Sequence, residues 1–260
     1  MAIRSFFDQL GKTVSIHFPP GRIISLVPSQ TELLADLGLQ QEIVGITKFC
    51  VHPTAWLKSK AIIGGTKNFS FEIIDRLKPD LIIGNKEENY REGIEQLSEK
   101  YVVWMSDIVT LQDALSMIAS IGELVDRQRI AQQINKGILN AFDHVKKYSD
   151  QSVLYLIWKK PWMAAGSGTF INALLNTIGL KNVLEETRRY PELTSDEIQK
   201  LKPDYIFLSS EPYPFQVKHI DELRSISPFS KIIVVDGEMF SWYGSRLMKA
   251  PEYFNTLILD

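Results

Sequence analysis

The sequence has little of what several large classes of protein require. Among 260 residues there is one cysteine, Cys50, so no disulfide can form within the chain. No run approaches the roughly 20 apolar residues that cross a bilayer. Lysine and arginine number 29 against 31 acidic residues, a net charge of −2. Without a broad positive field, the chain is not expected to bind nucleic acid.

Histidine is also sparse, and its placement argues against a metal site. His17, His52, His144 and His219 are scattered, with no pair at the i, i+4 spacing of helical metal ligands. No His-Asp partnership accompanies Cys50, which we expect to be a buried structural residue. The sequence therefore predicts no catalytic residues and no bound metal, and we expect a protein that is not an enzyme.

The first residues do not form a signal peptide. An apolar stretch of about 7–15 residues should follow a charged start, but Asp8 and Lys12 interrupt any such run. Either the protein stays inside the cell or this sequence lacks its leader.

A helix, turn and strand pattern occurs twice. Residues 72–83 read EIIDRLKPDLII, and residues 196–208 read DEIQKLKPDYIFL. In both, Leu-Lys-Pro-Asp ends a helical pattern, since proline cannot continue a helix, and an apolar run typical of a buried parallel strand follows. An acidic residue, Glu72 or Asp196, stands seven positions before each proline. The repetition predicts two similar lobes, and a cleft between two lobes is a natural ligand site.

Strand and helix patterns alternate along the rest of the chain, which favours an α/β fold with parallel-type sheets. Residues 110–149 differ, because apolar residues follow helical spacing there for about forty residues without a proline, enough for roughly 60 Å of helix. We expect one long helix, or two with a break near Asp126–Gln128. The predicted organisation is an N-terminal α/β lobe at 1–109, a connecting backbone helix at 110–149 and a C-terminal α/β lobe at 150–260.

The order of these segments resembles a known family, the substrate-binding proteins of ABC importers for metal chelates such as cobalamin, ferric siderophores and haem. The likeness covers nearly the whole chain and is greatest to members that carry cobalamin. It rests on DQLGKTV at 8–14, RIISLVPSQTEL at 22–33, GGTKN at 64–68, LKPDLII at 77–83 and the long helical pattern. The resemblance implies two Rossmann-like lobes bridged by a long rigid backbone helix, the class III periplasmic-binding-protein type, with the ligand between the lobes.

The resemblance also implies that one acid on each lobe docks onto arginines of the membrane permease. Glu72 matches the first position. At the second, members usually have glutamate, whereas this chain has Asp196 with Glu197 beside it, so the docking acid is either of these two. Two separated acids can form charge-assisted pairs that fix orientation. The structural alternative is that each acid simply favours the dipole at a helix N-terminus.

Side chains expected around the ligand lie at strand ends or in loops. Aromatic faces suit a large flat macrocycle, although ordinary core burial is the alternative for each ring. Tyr190 stands where cobalamin-binding members have a ligand-packing tryptophan, and Phe49 stands where they have tyrosine; Thr66 and Asn85 depart from the pattern by replacing aromatic residues. The predicted ligand-binding residues are Lys48, Phe49, Asn85, Lys86, Trp158, Trp162, Tyr190, Phe240 and Trp242.

Three functions follow in order of preference. The first is a monomeric binding protein that captures cobalamin, needs no cofactor of its own and delivers its ligand to an ABC importer permease. The second keeps the class but changes the ligand to a ferric siderophore or haem. The third is an intracellular chelate chaperone or enzyme on the same fold, which the missing signal peptide favours. The resemblance implies a periplasmic location, and the N-terminus leaves a cytoplasmic one open.

Overall fold

The computed structural model describes residues 2–259, which form two compact units. Unit 1 comprises Met1–Ile108, Gln112–Asn140 and Tyr243–Met248, and unit 2 comprises Val109–Leu111, Ala141–Trp242 and Lys249–Asp260. Each unit has its own sheet with helices between its strands in sequence. The predicted α/β class with two lobes is confirmed.

Unit 1 contains the first part of the secondary structure. Its strands are β1 Ala2–Phe7, β2 Thr13–Phe18, β3 Ile23–Ser25, β4 Ile43–Ile46, β5 Ala61–Ile62, β6 Gly64–Gly65, β7 Asn68–Phe69, β8 Leu81–Asn85 and β9 Val103–Ser106. Its helices are α1 Pro28–Asp36, α2 Trp56–Ser59, α3 Phe71–Leu77, α4 Arg91–Ser98, α5 Leu111–Leu124 and α6 Gln128–Asp143, of which α5 begins and α6 ends in unit 2.

Five strands of unit 1 form a parallel sheet in the order β5-β4-β3-β8-β9. Every residue of β3 and β8 is buried, as expected for parallel strands covered on both faces. The β1–β2 and β6–β7 pairs are antiparallel hairpins. Every second residue of β2 is apolar and buried, and the residues between them are exposed.

Helix α1 begins with a proline rather than with a side-chain cap. Pro28 takes the first helical position and Val27 is the N-cap, without a side-chain hydrogen bond. Proline is well suited to this position because its missing N–H would have no partner there. Thr31 is buried instead, and its hydroxyl donates to the Val27 carbonyl at 2.9 Å.

The predicted connecting segment at 110–149 is two helices, α5 and α6, which decides between the two alternatives that the sequence left open. Asp126, with φ of 59°, turns the chain between them, and Arg127 N–H donates to the Gly122 carbonyl at 2.7 Å. A Cβ at Gly122 would lie 2.3 Å from the Ala131 Cβ, so a glycine is required where α5 meets α6. The segment is not separate, since Gln112–Asn140 belong to unit 1, and residues 144–149 are not helical.

Unit 2 is built around a mixed sheet. Its strands are β10 Ser152–Trp158, β11 Trp162–Ala164, β12 Lys181–Asn182, β13 Glu192–Leu193, β14 Tyr205–Ser209 and β15 Lys231–Val235, and its helices are α7 Phe170–Thr177, α8 Ser195–Leu201, α9 Ile220–Ile226, α10 Gly237–Ser241 and α11 Ala250–Thr256. The order is β13-β11-β10-β14-β15, with β12 also paired to β10. Strands β10, β14 and β15 are parallel as predicted, and β12 also pairs parallel with β10, whereas β11 and β13 are antiparallel.

The repeated Leu-Lys-Pro-Asp segment has the same structure in both units. Lys78 ends α3 in the left-handed conformation with φ of 46°, and Lys202 ends α8 with φ of 45°. The aspartate that follows the proline then binds the start of the neighbouring strand. Asp80 accepts hydrogen bonds from the Gly21 and Arg22 amides at 2.8 and 2.9 Å. The motif therefore both stops a helix and positions a strand.

Within the described part of the chain, no helix combines the length and apolar character that crossing a membrane would require.

Candidate functional site

Ligands of open α/β sheets bind outside the carboxyl ends of the strands. In unit 1 these ends lead into residues 47–50 after β4 and 85–89 at the end of β8, and the β6–β7 hairpin at 64–69 lies beside them. We call these three segments the unit 1 loop cluster. Lys48 N–H donates to the Gly64 carbonyl at 2.8 Å, and Asn89 Nδ2 donates to the Thr66 carbonyl at 3.0 Å. Hydrogen bonds thus hold the three segments together.

The unit 1 loop cluster presents one aromatic ring and several cations. Phe49 is 51% exposed, and Lys48 Nζ lies 5.1 Å from its ring centroid. A Cβ at Gly65 would lie 3.1 Å from the Phe49 ring, so the hairpin covers one side of the ring. Lys86 is exposed, and its Nζ is 2.5 Å from Asp107 Oδ2. The structure brings Lys48, Phe49 and Lys86 to one edge of the sheet.

Asn85 is not available to a ligand. It is buried, and its Nδ2 donates to the Ser106 hydroxyl at 2.9 Å. Its Oδ1 accepts from the Glu87 and Glu88 amides at 2.8 and 3.0 Å. The predicted ligand contact is therefore corrected: Asn85 shapes the turn after β8, because its amide is fully used within the protein.

Cys50 is a structural residue, as predicted. Its thiol is buried, and Sγ lies 3.0 Å from the Thr31 hydroxyl and 3.2 Å from the Thr47 hydroxyl. Burial raises the pKa of the Cys50 thiol, an effect that the two hydroxyl groups oppose. The thiol is consequently kept protonated rather than activated as a nucleophile.

In unit 2 the corresponding edge carries a second group of loops, which we call the unit 2 loop cluster: residues 158–161, 165–169, 187–191 and 210–213. Arg189 N–H donates to the Ser167 carbonyl at 2.8 Å, and its Nη1 donates to the Gly168 carbonyl at 3.0 Å. The Arg189 guanidinium lies 5.8 Å from the Tyr190 ring. Tyr190 is half-buried. Because the neighbouring Arg189 is hydrogen-bonded to the glycine-containing loop that precedes α7, Tyr190 lies beside that loop.

Trp158 offers a free aromatic surface in this cluster. It is 39% exposed at the end of β10, and its ring meets Tyr213 edge-on at 5.5 Å. Tyr213 is half-buried and was not identified from the sequence. The signal was present, because the polar and aromatic segment SEPYP at 210–214 directly follows the apolar strand β14.

Two predicted ligand contacts are core residues. Trp162 is buried and stacks on Phe215 at 6.3 Å within the apolar core of unit 2. Phe240 is fully buried, with its ring 4.7 Å from Phe254 and 5.2 Å from Tyr155. The prediction for both is corrected, because other side chains of unit 2 enclose each ring and leave little surface for a ligand.

Trp242 is 5% exposed and is held by Glu211, a half-buried acid. Its Nε1 donates to Glu211 Oε1 at 2.7 Å, and the Ser241 hydroxyl donates to the same oxygen at 2.9 Å. Burial raises the pKa of Glu211, and the nearby Glu238 and Asp236 carboxylates act in the same direction. Glu211 is a second residue that sequence reasoning missed.

The two candidate docking acids occupy equivalent positions. Glu72 is the second residue of α3 and Asp196 the second residue of α8, and both are exposed. Glu72 pairs with Arg76 at 3.1 Å. Glu197 has a different role, because its carboxylate accepts from the Thr194 amide at 2.7 Å in a capping box, which lowers the pKa of Glu197. Asp196, not Glu197, is the structural counterpart of Glu72.

Among residues 2–259, no group of three or more histidine, cysteine, aspartate or glutamate side chains is arranged to hold a metal ion.

Comparison with known proteins finds a family model and a relative that both belong to transport-related binding proteins. The family model described as "Periplasmic binding protein" matches residues 23–229. The uncharacterized ABC transporter substrate-binding lipoprotein YvrC of Bacillus subtilis (strain 168) is 26% identical over 259 residues, covering 94% of this chain and 82% of that protein.

Two solved structures share the fold. The periplasmic vitamin B12-binding protein BtuF of Vibrio cholerae has a TM-score of 0.74 at 19% identity, covering 92% of this chain and 96% of that one. The periplasmic haem-binding protein HutB of Vibrio cholerae has a TM-score of 0.76 at 20% identity, with 92% and 99% covered.

Proposed function

Because this chain belongs to the periplasmic binding protein family, whose members bind solutes for transport and are not enzymes, we propose that it captures a metal chelate, cobalamin, and delivers it to an ABC importer permease. The protein acts as a monomer on the outer side of the cytoplasmic membrane. The relatives support the class of ligand, since one binds vitamin B12 and another binds haem by name.

The observation that carries the ligand proposal is an accessible aromatic ring in each loop cluster. Phe49 in unit 1 and Trp158 in unit 2 both expose a large part of their surface at the carboxyl edge of a sheet, and Tyr190 lies half-buried in the unit 2 loop cluster. Rings of this kind supply contact area to a flat macrocycle at a small entropy cost.

The charges of the unit 1 loop cluster favour cobalamin over an acidic chelate. Its three lysines are balanced by Glu87 and Glu88 within the cluster and by Asp107, which pairs with Lys86, and it contains no arginine. The corrin rim of cobalamin carries amide groups, which need hydrogen bonds rather than counter-charges.

One observation favours haem or an anionic siderophore as the second candidate. Arg188 and Arg189 are exposed beside Tyr190 in the unit 2 loop cluster. Guanidinium groups bind carboxylates in a bidentate manner, and haem carries two propionates.

Ligand titration tests the proposal. The protein is titrated with cyanocobalamin, haemin and a ferric hydroxamate while tryptophan fluorescence and Tm are followed. A ligand at about 100 times its Kd stabilises by about 2.7 kcal/mol, which gives a clear rise in Tm. Cobalamin alone is expected to do so, with Phe49→Ala and Trp158→Ala each weakening it. Phe229→Ala removes a ring that is 92% exposed outside the clusters and serves as the control. A response to haemin alone selects the second candidate, and no response to any chelate contradicts both.

Docking is tested separately. In vesicles with the reconstituted permease, Glu72→Gln and Asp196→Asn are expected to reduce transport while leaving ligand affinity unchanged. Glu197→Gln weakens the helix cap and should lower Tm without this loss of transport. Loss of transport in Glu197→Gln but not in Asp196→Asn would refute the assignment.

A further inference from the structure

A buried histidine, His219, packs against the aromatic surface of the unit 2 loop cluster. It is 7% exposed and ends the short helical turn Val217–His219, which directly precedes α9. Its imidazole meets the Tyr213 ring edge-on at 5.6 Å and the Phe215 ring at 5.5 Å. Tyr213 in turn meets the exposed Trp158 ring edge-on at 5.5 Å. Two ring contacts in succession therefore connect His219 to the indole of Trp158.

The His219 imidazole also fixes the backbone of this segment. Its Nδ1 accepts a hydrogen bond from the Gln216 amide at 2.9 Å, and the His219 amide donates to the Gln216 carbonyl at 2.9 Å. An imidazole nitrogen that accepts a hydrogen bond carries no proton, so the proton of the neutral ring is on Nε2. The Phe215 amide donates to the Tyr213 carbonyl at 2.8 Å. The neutral imidazole therefore closes the turn that directly follows Tyr213 and Phe215.

A second proton on His219 would meet a donor and two cations. A protonated Nδ1 is itself a donor, and at 2.9 Å it would face the N–H donor of Gln216. The charged groups near the ring are Lys159 from the β10–β11 turn, Lys218 from the same helical turn and Glu222 from α9, and Lys159 already pairs with Glu222. Burial lowers the pKa of His219, and the two lysine charges act in the same direction. The fold thus keeps His219 neutral near pH 7.

We propose that His219 is a positioning residue for the ligand site: the neutral imidazole holds Tyr213 against Trp158, and its protonation releases this contact and weakens ligand binding. The proposal rests on the function proposed above, in which Trp158 is one of the two exposed rings that contact the chelate. It adds a dependence on pH to that function, with tighter binding at neutral pH than in mild acid. The direction follows from Nδ1, where the added proton replaces an acceptor by a donor and the ordered ring surface is lost.

The first measurement needs no ligand. The full-length protein is labelled with 5-fluorotryptophan, and the ¹⁹F resonance of Trp158 is assigned with Trp158→Phe. Between about pH 7.5 and pH 5 this resonance is expected to shift with a midpoint below the ordinary histidine value of about 6.5. In the wild type, the Cε1–H resonance of His219 should titrate with the same midpoint.

Two variants separate the proton on His219 from a general effect of acid. His219→Asn places a neutral acceptor close to the Nδ1 position and cannot be protonated, so the Trp158 resonance should lose its response to pH. His144→Asn removes an exposed histidine elsewhere in the chain and should respond like the wild type.

The second measurement is the Kd of cyanocobalamin at the same two pH values. In the wild type this Kd should rise about three- to tenfold in acid, the range that the loss of one aromatic contact can supply. His219→Asn should keep the neutral-pH Kd at both values, and His144→Asn should follow the wild type.

Failure of this inference can be told apart from failure of the proposed function. If cyanocobalamin does not bind at neutral pH, the proposed ligand is wrong, and the ¹⁹F titration still decides the role of His219. A Trp158 resonance that ignores acid, or that responds equally in His219→Asn, would overturn the inference. If His219→Asn does not fold, different midpoints for Trp158 and His219 in the wild type would overturn it, as would a Kd that does not change with pH.

Discussion

The carboxylate of Asp204 accepts hydrogen bonds from both the backbone amide and the hydroxyl of Ser152, at 2.7 and 2.6 Å. Asp204 is the last residue of the second Leu-Lys-Pro-Asp segment, and Ser152 is the first residue of β10. The backbone N–H of Asp204 in turn donates to the Ser152 hydroxyl oxygen at 2.9 Å. One turn thereby fixes the start of the central strand of unit 2.

Replacing this aspartate should destabilise unit 2. Asp204→Ala is expected to lower the free energy of unfolding by about 1–2 kcal/mol, because the hydrogen bonds to a charged acceptor are lost. Urea denaturation measures the change. Glu186→Ala, which alters an exposed acid of the same unit, is the control. A loss no larger than that of the control would show that the turn does not depend on Asp204.

The same contact should depend on pH. Hydrogen bonds from the Ser152 side chain and backbone lower the pKa of Asp204. Its contribution to stability is therefore complete above the unfolded carboxyl value of about 3.9 and is lost as pH falls through the lower pKa of the folded state. The stability difference between the wild type and Asp204→Asn should shrink across that window in urea melts. A constant difference would contradict the assignment.

Removing only one partner of the ion pair between Glu32 and Arg246 should lower the free energy of unfolding substantially. The two side chains are nearly buried in unit 1 and meet in two hydrogen bonds at 2.7 and 2.8 Å. Arg246→Ala is expected to cost about 3–5 kcal/mol, because it leaves the Glu32 carboxylate buried without its partner. The double variant Glu32→Met with Arg246→Met should cost less than Arg246→Ala. Denaturation of the wild type and the two variants checks this, and a double variant that loses as much stability as Arg246→Ala or more would refute the coupling.

Alanine substitutions at two glycines should distinguish the stability cost of backbone strain from that of a steric collision. Gly38 and Gly179 both have φ of 82°, but a Cβ at Gly38 meets open space, whereas one at Gly179 would lie 2.1 Å from the Tyr148 carbonyl oxygen. Gly38→Ala should cost about 1–2 kcal/mol for the left-handed conformation alone. Gly179→Ala should cost more, since the backbone must also move. Equal losses of stability in thermal melts would show that the backbone moves away from the added Cβ at position 179 without a further cost.

Glu211 should make the protein less stable as pH rises. Burial raises the pKa of Glu211, so the folded state binds its proton more tightly than the unfolded state. The charged form is penalised from the unfolded value of about 4.3 upward through the raised folded pKa. Glu211→Gln keeps an acceptor for Trp242 and should remove this fall in stability. Tm measured from pH 4 to 8 for both proteins is the test, and parallel profiles would contradict it.

The fold was predictable because its signals are local. Leu-Lys-Pro-Asp marks a helix end from sequence alone, since proline restricts both itself and the residue before it. The antiparallel pairing of β11 and β13 was not predictable, because these are strands of two or three residues whose partners lie far along the chain. The β1–β2 hairpin was missed for a related reason: only β2 shows alternating burial, while β1 is mostly exposed.

The candidate site was less predictable than the fold. Proximity to a strand end selected Phe49 and Trp158, whose rings are exposed, but the same rule selected Phe240, which is packed against Phe254. Which face a ring takes depends on tertiary packing that one sequence does not reveal. By contrast, only the structure shows that Glu197 belongs to the capping box of α8 while Asp196 takes the position equivalent to Glu72.

The return of Tyr243–Met248 to unit 1 bears on how the chain folds as it is synthesised. Glu32 is made early, but Arg246 emerges from the ribosome 214 residues later. Before Arg246 has been made, unit 1 carries the Glu32 carboxylate without this ion pair, so the packing of unit 1 is completed only after residues 141–242 of unit 2 have been synthesised. A fragment that stops after α6 would remain in that unfinished state, and adding residues 243–248 as a separate peptide should complete it.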